Sequence, residues 1–247
     1  MTSVLNIAAY RFVPIDEPSL VVDRVRGLCE ALELRGSVLV APEGINIFLA
    51  GAADAVHEFI ARFGEDERFS GLTIRFSESG TIPFKRLRVK LKREIITFRK
   101  HEIAPGATAG RADSLTPAQL RDWLRRGRDD QGRELVLLDT RNRQEVAFGS
   151  FQGALTLPIE RFTELPEALE LHREQLRGKT VVSFCTGGIR CEKAALWMSG
   201  NGYDNVLQLE GGILGYFEQV GAEGYDGGCF VFDQRVALDP QLRPLGP

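Results

Sequence analysis

The chain has 247 residues, 43% of them hydrophobic and 26% charged, with a formal net charge of −3. That apolar content supplies the core of one large or two ordinary domains, and the near-balanced charge excludes a wholly basic nucleic-acid binder, so any surface for a phosphate backbone has to be local. No apolar run approaches the roughly 20 residues that span a bilayer. Residues 1–10 lack the basic start and long apolar core of a secretory signal, and four cysteines without a regular framework point to a reducing compartment, the cytoplasm.

Residues 6–13 read as a first strand and 20–34 as an amphipathic helix, with Cys29 on its apolar face beside Val25, Leu28 and Leu32. Residues 37–41 and 45–50 read as two strands joined by Pro42-Glu43-Gly44, which has hairpin chemistry. Residues 53–63 follow as a second helix, with Val56, Phe59, Ile60 and Phe63 on one side, and 72–76 as a fourth strand. The order β-α-β-β-α-β predicts an α+β, ferredoxin-like N-terminal domain over residues 1–102.

Residues 84–93 alternate: Leu87, Val89 and Leu91 face one way, and Arg86, Arg88, Lys90 and Lys92 the other. One reading is a solvated edge strand kept from pairing by its cations. The other is a basic stripe that tracks a nucleic-acid backbone, since like charges on one strand face repel unless an anion sits opposite, and Glu94 is the one acid nearby. A second β-like run covers 95–98. Residues 103–114, rich in Ala, Gly and Pro, read as a linker. Thr116 as N-cap, Pro117 in the first turn and Gln119 three residues on predict a helix start, with Leu120, Trp123 and Leu124 as its buried face.

Residues 135–138 form a near-continuous apolar strand that ends at Asp139-Thr140-Arg141-Asn142. A short strand and turn at 151–158, a helix at 165–176, a central strand at 179–184, a last strand at 206–209 and a final helix at 214–220 complete the pattern. Alternating strands and helices predict a doubly wound α/β domain with a parallel sheet over 115–225, followed by a tail, 226–247. Chemistry in such sheets sits beyond the strands' carboxyl ends, where both Asp139 and Cys185 fall.

The stretch that carries chemistry is Phe184-Cys185-Thr186-Gly187-Gly188-Ile189-Arg190-Cys191-Glu192-Lys193. A cysteine at a strand end, followed by a loop (Thr186, Gly187, Gly188, Ile189) that opens a helix, meets inward amide N–H groups and the positive end of the helix dipole, so its thiol pKa falls. Gly187 and Gly188 let the backbone curl, and Arg190 supplies a fixed positive charge. Only four residues separate Cys185 from Arg190, so the Cys-x5-Arg spacing of a phosphate cradle is not met; the tighter cup suits one sulfur atom on the cysteine. Cys185 is the expected nucleophile, with Arg190 holding the loop and stabilising anionic sulfur. The bland alternative is a packed strand-end cysteine, although Gly-Gly and Arg are odd company in a core. Cys191 is a resolving thiol or a packed structural cysteine. Asp139 and Arg141 brace the loop or form an ordinary strand-end salt bridge. The histidines, His57, His101 and His172, are scattered, no Cys/His set has zinc-ligand spacing, and no dinucleotide fingerprint is visible, so no metal or organic cofactor is evident in the sequence.

The strings Leu138-Asp139-Thr140-Arg141-Asn142, Gly149-Ser150-Phe151-Gln152-Gly153-Ala154, Cys185-Thr186-Gly187-Gly188-Ile189-Arg190 and Leu209-Glu210-Gly211-Gly212-Ile213 resemble those of rhodanese domains, whose cysteine carries a persulfide. Adding Cys191-Glu192-Lys193, Ala41-Pro42-Glu43-Gly44-Ile45-Asn46 and Phe230-Val231-Phe232-Asp233-Gln234-Arg235, the whole chain resembles the oxygen-dependent tRNA uridine(34) hydroxylase family, which joins an acylphosphatase-like domain to a rhodanese domain. The resemblance implies hydroxylation of the wobble uridine to 5-hydroxyuridine, with dioxygen as co-substrate and the anticodon region of tRNA as partner; no membrane or DNA partner is expected. Ile47-Phe48 stands where many relatives have small residues. The sequence also stops at Pro247 without the Cys-rich tail of many relatives, so no role of that tail is carried over, and Cys229 reads as inert. Two other classes stay in view. One is a sulfurtransferase acting on cyanide, a thiol or a carrier protein, supported by the loop alone. The other is a non-catalytic RNA-binding adaptor, which an intact Cys185 and Arg190 argue against.

Overall fold

Apolar residues at every second position in the strands and every third or fourth in the helices let each sheet bury one or both faces under helices. The structure, a computed structural model, describes residues 4–100, 102–106 and 110–245. His101, residues 107–109 of the expected linker, and the first three and last two residues of the chain lie outside the described residues. The chain divides into two compact units, residues 1–97 with 232–235, and residues 98–231 with 236–247. Among the described residues no helix is long and apolar enough to cross a membrane.

The first unit runs β1 (Val4–Phe12), α1 (Pro18–Ala31), β2 (Arg35–Ala41), β3 (Gly44–Ala52), α2 (Ala53–Phe63), β4 (Ile74–Ser79) and β5 (Leu87–Leu91). Its sheet has the order β4-β1-β3-β2-β5. The first four strands are antiparallel, as the ferredoxin-like plan requires, and β5 joins the edge parallel to β2. Pro42 and Glu43 make the expected tight turn, with Ala41 opposite Gly44. The core joins Val21, Val25, Leu28 and Cys29 of α1 and Val56, Phe59 and Phe63 of α2 to Ile7, Ile45, Ile47 and Leu49 of the sheet. Burying each large apolar side chain is worth about 1.5–3 kcal/mol.

The second unit contains β6 (Ser114–Leu115), α3 (Pro117–Arg126), β7 (Leu135–Asp139), α4 (Arg143–Val146), β8 (Gly149–Phe151), β9 (Leu155–Thr156), α5 (Leu165–Glu170), α6 (Arg173–Leu176), β10 (Thr180–Phe184), α7 (Ile189–Gly200), β11 (Val206–Leu209), α8 (Gly212–Gln219), β12 (Tyr225–Gly227), β13 (Cys229–Phe230) and β14 (Ala237–Leu238). Its main sheet has the order β6-β11-β10-β7-β9, every pairing parallel. Central β10 is buried throughout, as expected of a strand with neighbours on both edges and both faces. Thr116 caps α3 in a complete capping box with Gln119, burying Leu120 and Trp123 while Leu124 is half-buried.

Several elements differ from the sequence reading. Residues 95–98 form no strand, because the Ile95 N–H donates to the Glu43 carboxylate at 2.7 Å rather than to a ladder. The single helix expected at 165–176 breaks at Leu171 and His172, where the His172 dihedrals leave the helical region. Ser114, read as linker, begins β6 on the edge of the parallel sheet. Beyond residue 225, β12 pairs with β8 and β13 with β14. Residues 232–235 belong to the first unit, where Arg235 donates to Ser77 Oγ at 2.7 Å.

Candidate active site

β10 ends at Phe184, opposite Asp139 of β7, and Cys185 stands one residue further on. Its side chain is buried, and its sulfur accepts the Gly188 N–H at 3.1 Å. Burial opposes ionisation of this thiol, but a hydrogen bond from Cys191, the Arg190 charge and the N–H groups of Arg190 and Gly188 outweigh it and bring it down to about 6. The loop therefore favours the thiolate of Cys185 over its ordinary state. Gly188, at φ +96°, is the residue whose backbone needs a glycine; Gly187, expected to share that task, has no such φ.

The loop is held from below by α8. The N–H groups of Ile213 and Leu214 donate to the carbonyls of Cys185 and Thr186 at 2.9 and 3.0 Å. Gly212 makes this approach possible: at φ +59°, a Cβ there would lie 2.4 Å from the Cys185 carbonyl oxygen.

Two buried arginine–carboxylate pairs frame the cysteine. Arg190 donates through both Nη atoms to Glu145 at 2.8 and 2.9 Å. Burial works against its charge, but Glu145 and the Cys185 sulfur more than offset that and raise its pKa. Glu145 is itself set by α4, whose capping box joins Asn142 and Glu145 reciprocally. Arg141 and Asp139, both fully buried, form the second fork at 2.9 and 2.6 Å. Ser150 donates to Asp139 at 2.8 Å, Arg141 donates to the Gly149 carbonyl at 2.7 Å, and Arg141 Nη1 has no hydrogen-bond partner.

The expected residues are thus brought together beyond the carboxyl ends of β10 and β7: Cys185, Thr186, Gly187, Gly188, Ile189 and Arg190 on the loop and at the start of α7, Asp139 and Arg141 at the end of β7, and Cys191 in the first turn of α7. Cys191 is buried and its thiol is pushed well up, by burial and then by the neighbouring Cys185. Cys229 also lies in this cluster, buried, within electrostatic reach of Arg141 and Cys185, and pushed up to about 12 by burial. Sequence reasoning missed Glu145, although Asn142-x-x-Glu145 is itself a capping-box signal, and it missed the approach of Gly212 to the loop. Among the described residues no group of three or more His, Cys, Asp or Glu side chains is placed to hold a metal ion.

The basic stretch is shorter as a strand than expected. Arg88 and Lys90 lie within β5, whereas Arg86 and Lys92 flank it. All four are exposed, and among the described residues none of their side chains makes an ion pair. The apolar face holds at Leu87 and Val89, which pack into the core, and fails at Leu91, which is 50% exposed at the strand's end.

A parallel α/β sheet with a cysteine loop beyond its central strand defines a rhodanese-type domain, and residues 116–219 match the rhodanese-like domain. Residues 4–95 match the UPF0176 acylphosphatase like domain. Across 242 residues the chain is 64% identical to the tRNA uridine(34) hydroxylase of Xanthomonas euvesicatoria pv. vesicatoria, covering 98% of this chain and 97% of that protein. It is 59% identical over 242 residues to the protein of the same name from Xylella fastidiosa, covering 98% and 93%. The chain belongs to the tRNA uridine(34) hydroxylase family.

Proposed function

We propose that this chain hydroxylates carbon-5 of the wobble uridine of tRNA to 5-hydroxyuridine, with dioxygen as oxygen source and Cys185 as nucleophile. The observation that carries the reading is the Cys185 sulfur, held by the Gly188 N–H at 3.1 Å beside the Arg190 charge that lowers its pKa, in a chain whose family is named for this reaction. Addition of the thiolate to carbon-6 of the uracil ring moves the ring electrons to carbon-5 as an enolate, which is then open to an oxygen donor. Arg190 keeps the sulfur anionic through its charge, while Glu145 keeps Arg190 in place. Asp139 and Arg141 brace the neighbouring strand end. Arg86, Arg88, Lys90 and Lys92 contact the phosphates of the anticodon region, and the cytoplasm, where tRNA is modified, is the compartment.

Sulfur transfer to cyanide, a thiol or a carrier protein is the second reading, favoured by the rhodanese-like match around Cys185. The two part in one experiment. Purified protein, a thiol reductant and tRNA lacking the modification are mixed under air or under nitrogen, and nucleosides are read by mass spectrometry. Thiocyanate formation from thiosulfate and cyanide is followed in parallel. Hydroxylation predicts 5-hydroxyuridine at position 34 under air alone. Fast thiocyanate formation without 5-hydroxyuridine would hand the chain to the sulfurtransferases.

A further inference from the structure

Hydroxylation by dioxygen places one oxygen atom in the product and the other in water, and it consumes two electrons and two protons beyond those of the uridine. Two thiols that become a disulfide release that quantity. The structure places two thiols together at the candidate site. Gly188 ties them: its N–H holds the Cys185 sulfur at 3.1 Å, and its carbonyl accepts the Cys191 N–H at 3.0 Å. Thr140 ties them again. Its hydroxyl donates to the carbonyl of Phe184, the residue before Cys185, at 3.0 Å, and its oxygen lies 3.8 Å from Cys191 Sγ. Cys191 also lies within electrostatic reach of the Cys185 sulfur. Both cysteines are buried: Cys185 is 1% exposed and Cys191 0%.

We propose that Cys191 is the resolving thiol of the reaction and that the Cys185–Cys191 pair supplies its two electrons, one disulfide per uridine hydroxylated. The proposal rests on the hydroxylase reading. In the adduct, carbon-5 takes dioxygen and a proton to become a hydroperoxide, and loss of the carbon-5 proton with the Cys185 thiolate restores the ring double bond. Cys185 then attacks the distal oxygen. The O–O bond breaks, a sulfur–oxygen bond forms, and the oxygen left on carbon-5 takes a proton as the hydroxyl of 5-hydroxyuridine. Cys185 is now a sulfenic acid, the state that condenses with a neighbouring thiol. Cys191 closes the cycle: its sulfur bonds to that of Cys185, the S–O bond breaks, and its proton leaves with the hydroxide as water. The sum is uridine, dioxygen and two thiols going to 5-hydroxyuridine, water and a disulfide. The adjacent Cys191 proton gives the departing hydroxide its proton without bulk water. Thiol exchange with an external dithiol then restores the pair.

The test uses the whole protein, reduced and then freed of reductant, with excess unmodified tRNA under air. Trypsin cuts after Arg190, so residues 180–190 and 191–193 stay joined only by a Cys185–Cys191 disulfide. The expected result is a single equivalent of 5-hydroxyuridine per chain, the joined peptides in matching amount, neither under nitrogen, and a restart on adding dithiothreitol. In Cys191→Ser, dimedone should label Cys185 after turnover, which it should not do in the parent protein. Product formed while Cys191 stays fully alkylatable, or many equivalents without reductant, would overturn the role of the pair and leave the hydroxylase reading standing. No 5-hydroxyuridine even with air and dithiothreitol would overturn both.

Discussion

The cysteine site beyond β10 and β7 and the edge strand β5 each carry two cations, and the fold treats that charge in opposite ways. Around Cys185, Arg190 and Arg141 are buried and each is gripped by a carboxylate through two hydrogen bonds. On β5, Arg88 and Lys90 point into solvent with no ion partner among the described residues. A charge that must act on one atom has to be fixed, and fixing it in a core demands a counter-charge with good geometry. A charge that meets a long polyanion gains from staying exposed and adaptable.

Breaking a fixed pair should therefore have the largest effect. Asp139→Ala leaves Arg141 buried without its carboxylate, and should cost about 3–5 kcal/mol of stability in urea unfolding. A loss below about 1 kcal/mol would mean that Arg141 finds water or another partner. Gly212→Ala should come next. Its Cβ meets the Cys185 carbonyl in a left-handed backbone position, so about 1–3 kcal/mol is expected, together with lost activity from a displaced loop. Arg190→Lys keeps the charge but cannot reproduce the two-pronged hold on Glu145, and activity should fall about tenfold, roughly 1.4 kcal/mol. Wild-type turnover in that variant would show that charge alone suffices.

The exposed strand should behave in reverse. Replacing Arg86, Arg88, Lys90 and Lys92 by Gln should change stability by no more than about 0.5 kcal/mol. It should nonetheless flatten the salt dependence of tRNA binding by roughly 0.7–0.9 slope units for each lost contact. Arg88 and Lys90, about 6.8 Å apart along one face of β5, should account for the larger share. An unchanged salt slope would reduce the strand to a solvated edge.

The same contrast explains what could be read in the sequence. Local patterns were legible: the helix at Ala53–Phe63, the strand at Val206–Leu209, the Pro42-Glu43 turn and the Thr116 capping box follow from period and cap chemistry over a few residues. The cysteine loop and the strand end at Asp139 were legible for the same reason. The supports were not. Glu145 grips Arg190 from 45 positions away, and Gly212 meets Cys185 only because the sheet order brings the start of α8 beneath the loop. Residues 95–98 looked like a strand because a β-rich run does not reveal that its N–H groups will be met by a side chain.

The most direct measurement of the central claim is the wobble nucleoside of tRNA from cells that lack this protein and are resupplied with either the parent chain or Cys185→Ser, read by mass spectrometry, with folding of the variant checked by its unfolding curve. The parent chain should restore 5-hydroxyuridine and its derivatives at position 34, and folded Cys185→Ser should leave the uridine unmodified, because a serine hydroxyl in the same cup is not ionised near neutral pH. Full modification by the folded serine variant would contradict the account.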